Sequence, residues 1–264
     1  MPSEALPEGK YIYGITRVGE GQNLGAIGIG GRGDNITTVP HQELACVVSN
    51  SPIAEYPVTR ENSMAHQKVI EAVMKTGAVL PVRFGTIGVS EQVIVEKVLT
   101  ARYDELANLL TWVSDKREIG VKVYWRDLQR VFQELARVSE RVGSLVGALS
   151  GKKPEATYYD RIEVGKTLEE LLKKKREETA DYIFEALHPH TCEAKRNATY
   201  GDAMILNGAF FVPASQEAAF HSVVEQLEVE LGSNVRVKLI TGAPPFNFVT
   251  ITIHWEDAHG ISGR

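Results

Sequence analysis

Between two stretches of strong helical periodicity lies Val79-Leu80-Pro81-Val82-Arg83-Phe84-Gly85-Thr86, an apolar segment cut by a proline and carrying one arginine. A short apolar run of this kind reads as a strand held inside a sheet, so the flanking helices must cover that sheet. An arginine within it must meet a carboxylate, backbone carbonyls or the surface of a partner. The chain around it is therefore expected to build a mixed α/β unit in which Arg83 is either an internal strut or a contact residue.

The preceding residues supply the rest of that unit. Tyr11 to Val18 reads as a first strand, a Gly-rich stretch from Gly19 to Gly33 as loop, and Ile36 to Val39 and Leu44 to Ser49 as further strands. Thr59 is placed to cap a helix whose apolar positions Ala65, Val69, Ile70, Val73 and Met74 follow a 3.6-residue period, with Gly77 closing it. Ser90 and Glu91 open the next helix, and Val95, Val98, Leu99, Leu106, Leu109, Leu110 and Val113 form its apolar stripe.

A second unit starts at Ile119, where Val121, Val123 and Trp125 alternate with Lys122 and Tyr124 along a strand. A helix over 127–149 carries Leu128, Val131, Phe132, Leu135, Val142, Leu145 and Leu149 on one side, and Gly151 and Pro154 break it. A charged helix over about 156–187 follows, with a thin stripe at Leu168, Leu171, Leu172, Ile183 and Leu187. Then come a hairpin of Thr191–Ala198 and Ala203–Val212 around Tyr200-Gly201-Asp202, a helix from Ser215 to Leu231, and a strand from Val235 to Thr241. The predicted fold is α+β in two domains: an N-terminal mixed α/β unit over 1–118 and a C-terminal modified ferredoxin-like βαββαβ domain with an extra helix over 119–249, followed by a tail over 250–264.

A length of 264 residues suits two domains, and 43% hydrophobic residues are enough for real cores. A net charge of −5 argues against a nucleic-acid partner, which needs a basic face. Cys46 and Cys192 are far apart and fit a reducing cytosol, no secretory signal is readable, and no apolar run is long enough to span a lipid membrane.

Catalytic and cofactor chemistry finds little purchase. Gly28-Ile29-Gly30-Gly31-Arg32-Gly33 matches GxGxxG, but it is followed by loop and strand where a dinucleotide site requires a helix, so it reads as a flexible surface loop. His188, His190 and Cys192 share an alternating spacing that could begin a soft-metal site, yet His221, His254 and His259 are scattered and no second cluster completes four ligands. His66, Lys68 and Glu71 read as a solvated helix side or a domain rim, and Glu169-Glu170 and Glu177-Glu178 with Lys173 to Arg176 as a salt-bridged helix face. No nucleophile motif is present, so the expectation is a non-enzyme without cofactor or metal. The residues that stand out for partner contact are Arg83 and Phe84, together with Phe246 and Phe248 in Thr241-Gly242-Ala243-Pro244-Pro245-Phe246-Asn247-Phe248-Val249, where two prolines set an extended path and two rings follow. That closing segment can equally serve as a clasp over a sheet.

Six collinear segments carry a family resemblance: Tyr11-Ile12-Tyr13-Gly14-Ile15; His66 with Val69 and Glu71; Val79 to Thr86; Gly120-Val121-Lys122-Val123; Leu206-Asn207-Gly208-Ala209-Phe210-Phe211-Val212; and Thr241 to Val249. Together they resemble the gas vesicle protein F and L family, and the compact chain leans toward F. The family's closing segment is similar to Thr-Gly-Pro-Trp-Pro-Pro-Tyr-Asn-Phe; the tryptophan has no counterpart here. The resemblance implies a cytoplasmic gas vesicle accessory protein, a minor shell component or assembly factor that binds the hydrophobic major shell protein, with other gas vesicle proteins as further candidate partners. Two rivals from other classes stand beside it: an enzyme or small-molecule sensor built on the ferredoxin-like sheet, which requires a deep polar pocket, and a scaffold self-associating through the charged helices.

Overall fold

Strand β1 (Glu8–Arg17) is the spine of the first sheet, because three neighbours compete for its two edges. On one side it pairs antiparallel with β3 (Leu44–Pro52), which in turn pairs with β2 (Thr37–His41). On the other it pairs with β4 (Val79–Pro81) near its end and with β5 (Ile87–Gly88) near its start. The register against β3 shifts between Ile12 and Gly14, so Tyr13 is the extra residue of a bulge. Both long strands are buried nearly end to end rather than at alternate positions, as expected when helices cover both faces. Tyr11, Tyr13, Val47 and Val79 pack with Val69, Ile70 and Val73 of helix α1 (Arg60–Met74), while α3 (Tyr103–Ser114) packs on β1 and β4. The computed structural model describes residues 6–21, 24–149 and 158–255.

Several elements differ from the sequence reading. The Val79–Thr86 strand is cut to three residues. Pro81 offers no N–H to the ladder, and Gly85 turns the chain at φ 80, a conformation that favours glycine. Gly77 does not close α1, which ends at Met74 with Lys75 as its C-cap. The helix expected from Ser90 onward is two: α2 (Glu91–Ile94) runs into a π-helical turn over Val95–Thr100, and the chain breaks at Arg102 before α3. Apolar spacing is the same for a continuous and a broken helix, so periodicity alone misses such breaks.

The second sheet has the strand order β7-β8-β6-β9, built from β6 (Lys116–Trp125), β7 (Glu193–Arg196), β8 (Met204–Pro213) and β9 (Val235–Ala243). With α7 (Glu217–Leu231) between β8 and β9, this is the ferredoxin-like order. Its first crossover is longer than expected, with α4 (Leu128–Val138), α5 (Glu140–Leu149) and α6 (Tyr158–Leu187); the single predicted helix breaks at Ser139, which has extended backbone. Ile119, Val121, Val123 and Trp125 alternate into the core, where they meet Leu172, Ile183, Leu187, Phe210 and Phe220. The expected helix breakers Gly151 and Pro154 and the start of the third helix at 156 lie outside the described residues.

The chain divides into one unit of Met1–Glu118 with Thr241–Arg264 and another of Ile119–Ile240. The closing segment read as the end of the second domain, and residues 250–255 read as tail, thus belong with the first sheet. Backbone bonds show why: Ile251 N–H donates to the Pro81 carbonyl (2.7 Å) and Arg83 N–H to the Ile251 carbonyl (2.9 Å), a parallel bridge on the free side of β4.

Candidate functional site

The Tyr11-Ile12-Tyr13 motif organises the first unit. The Tyr13 hydroxyl accepts the Ile29 N–H at 2.8 Å and lies 2.8 Å from Ser49 Oγ. This pins the GxGxxG loop, which is anchored by a fully buried Ile29 rather than flexible along its length. The Tyr11 hydroxyl accepts the Gly85 N–H at 2.9 Å and lies 3.0 Å from His66 Nδ1. Each hydroxyl therefore ties a distant loop to β1. Burial pushes both phenols up, Tyr13 to about 12 and Tyr11 higher still, so neither ionises near neutrality.

His66 corrects the sequence reading most sharply. It is 4% exposed, not on a solvated helix side. Its ring meets Tyr11 and Tyr13 at 5.7 Å, Phe84 at 5.6 Å and Phe246, stacked, at 6.5 Å. Burial lowers its pKa to about 4, with the Val82 carbonyl opposing the shift, so the imidazole is neutral at pH 7. The Tyr11 oxygen already accepts from Gly85, so its own proton is best placed on Nδ1. The ring proton then sits on Nε2, which is buried without a hydrogen-bond partner of good geometry. The signal was present in the sequence: His66 falls on the same 3.6-residue stripe as Val69, Ile70 and Val73.

His66 forms part of an apolar groove of about 340 Å³, together with Val58, Ser63 and Gln67 around α1, Val82, Arg83 and Phe84 after β4, and Phe246 and Thr250 of the closing segment. Three of the four contact residues singled out from sequence thus converge here. Phe246 is 37% exposed, while Phe84 is half-buried and packs on the core of the first sheet. Phe248, the fourth, is half-buried and does not line the groove. Arg83 is half-buried and, among the described residues, makes no ion pair, so the internal strut to a helix carboxylate is not formed there.

A residue the sequence reading passed over holds the closing turn next to Phe246. Glu118, 7% exposed, accepts the Asn247 backbone N–H at 3.0 Å and its side-chain amide at 2.6 Å. The expected extended path does not run through the two prolines: the chain turns at Pro245, with Phe246 N–H donating to the Pro244 carbonyl and Phe248 and Val249 N–H both donating to the Pro245 carbonyl, and Val249, Ile251 and Ile253 are buried. The segment is therefore both clasp and display: its end is anchored, and its turn presents Phe246.

Elsewhere, His188 and His190 lie in a short 3₁₀ turn with Pro189 rather than in a strand, and Cys192 is exposed. Among the described residues no three His, Cys, Asp or Glu side chains gather as metal ligands, and no helix is long and apolar enough to cross a membrane.

Two antiparallel sheets, one ferredoxin-like, with helices packed on each, define a two-sheet α+β protein. The chain belongs to the family described as Gas vesicle synthesis protein GvpL/GvpF, whose model matches residues 9–250. It is 24% identical over 211 residues to Gas vesicle protein F of Dolichospermum flosaquae, covering 79% of this chain and 85% of that one. It is 26% identical over 242 residues to Gas vesicle protein F of Streptomyces sp. (strain CB03234), covering 90% and 98%. The crystal structure of the gas vesicle protein GvpF from Anabaena sp. PCC7120 superposes with a TM-score of 0.76 at 22% identity, over 92% of this chain and 99% of that chain. The structure of GvpF from Microcystis aeruginosa superposes at 0.69 and 23% identity. The protein is accordingly a gas vesicle-associated protein.

Proposed function

We propose that the protein is a cytoplasmic gas vesicle accessory protein, a minor shell component or assembly factor that holds the major hydrophobic shell protein, and that the groove around His66 and Phe246 is the docking site. The observation that carries this reading is the convergence of α1, the Val82–Phe84 segment and the closing turn on one apolar depression with an exposed phenylalanine at its rim. A strongly apolar subunit that polymerises must be kept from self-association before it is added, and a shallow apolar groove suits that task better than a closed pocket. In this reading Arg83, Phe84 and Phe246 make the contact, and Phe248 supports the turn.

Co-expression with the major shell protein and pull-down tests the proposal. Wild-type protein is expected to co-purify with the shell protein, and Phe246→Ala to lose it at least tenfold while melting within a few degrees of wild type. Failure of the wild-type protein to capture the shell protein overturns the reading.

A further inference from the structure

Resting on that docking reading, we infer that the groove takes a peptide segment in which an acidic side chain accompanies the apolar anchor, and that Arg83 receives the carboxylate. The argument is one of charge complementarity. Among the described residues that line the groove, Arg83 is the only formally charged side chain and none is acidic. Arg17, Arg32 and Arg102 of the same unit each pair with a carboxylate: Glu43 at 3.4 Å, Glu8 at 3.0 Å and Glu105 at 2.6 Å. Arg83 has no such partner among the described residues, although it is half-buried beside apolar surface in a chain with net charge −5.

Its placement is fixed from both ends. Its backbone N–H is bound to the Ile251 carbonyl, and two residues on, the Gly85 N–H is bound to Tyr11. The fixed backbone keeps the base of the Arg83 side chain at the groove, its planar guanidinium can take a carboxylate at two points, and the surrounding apolar surface strengthens the pair once a partner excludes water. His66, which lines the same groove, stays uncharged at pH 7 and adds no competing positive charge. An all-apolar occupant would bury Arg83 unpaired, so the groove selects against one.

The test uses the full chain co-expressed with the major shell protein. Arg83→Gln is expected to lower capture tenfold or more and Arg83→Lys less. Arg83→Glu is expected to abolish it, with recovery when one acidic residue of the shell protein is changed to lysine. Capture by wild type is expected to fall as salt rises from 50 to 500 mM. Wild-type capture by Arg83→Gln and Arg83→Glu, together with loss in Phe246→Ala, overturns the acidic-segment inference and leaves the docking site standing. Indifference to both Arg83 and Phe246 changes overturns both. Should the Arg83 variants fail to fold, salt-independent capture by the wild-type protein is by itself the refuting result.

Discussion

His66 shows how much one ring can decide. The unfolded chain takes up a proton on this histidine near pH 6.5, the folded protein only near 4, so between those values acid favours unfolding. The His66 contribution is fully present above about pH 6.5 and is lost as pH falls to 4, amounting to about 3 kcal/mol. Urea midpoints measured across that range are expected to fall for wild type and to fall less steeply for His66→Asn. Tyr11→Phe leaves the Gly85 N–H and His66 Nδ1 without their shared partner; a loss of about 1–3 kcal/mol is expected in the same measurement at pH 7. The Glu118 bond to Asn247 acts on geometry rather than on the core as a whole. Glu118→Ala is expected to weaken shell-protein capture through a loosened closing turn, with faster amide exchange at Asn247 as the accompanying readout.

At the scale of elements, local chemistry set the starts of helices well and their ends poorly. Thr59 accepts the Asn62 N–H and Ser90 accepts the Val93 N–H, as their positions before the apolar stripes suggest. Alanine at either site is expected to cost about 1 kcal/mol, checked by thermal or urea unfolding. Breaks inside a stripe are another matter. Arg102 interrupts the helical run while its guanidinium bridges Glu105 and the Thr252 carbonyl, 150 residues away in sequence. No periodicity within residues 90–113 encodes that bond. The Val79–Thr86 segment is similar: Pro81 and Gly85 mark the departures, but the companion of Val82 is Ile251, which propensity does not name.

At the scale of the molecule, the first unit is discontinuous in sequence, since it takes the closing residues after the second sheet is complete. Truncation after Ala243 keeps β9 whole and removes the Ile251 bridge on β4, the buried Val249, Ile251 and Ile253, and the Glu118–Asn247 clamp. The truncated protein is expected to lose stability in the first unit while the second stays folded. Hydrogen exchange checks this: protection should fall at Arg83 and along β4 but persist at Val121 and Val123, and uniform loss across both units would refute it.

The sequence by itself determined the α+β class, the ferredoxin-like order of the second sheet, the helix caps, the family resemblance, and Arg83, Phe84 and Phe246 as residues of interest. These follow from local periodicity, turn chemistry and motif spacing, which are properties of neighbouring residues. Only the tertiary structure decided that the three belong to one groove, that His66 is its buried hub, that Phe248 stands aside, and that Arg83 has no internal counter-ion among the described residues. Those outcomes depend on contacts between segments far apart in sequence, 55 residues for Tyr11 and His66 and 129 for Glu118 and Asn247, and on how the closing segment packs against β4 rather than on any pattern within it.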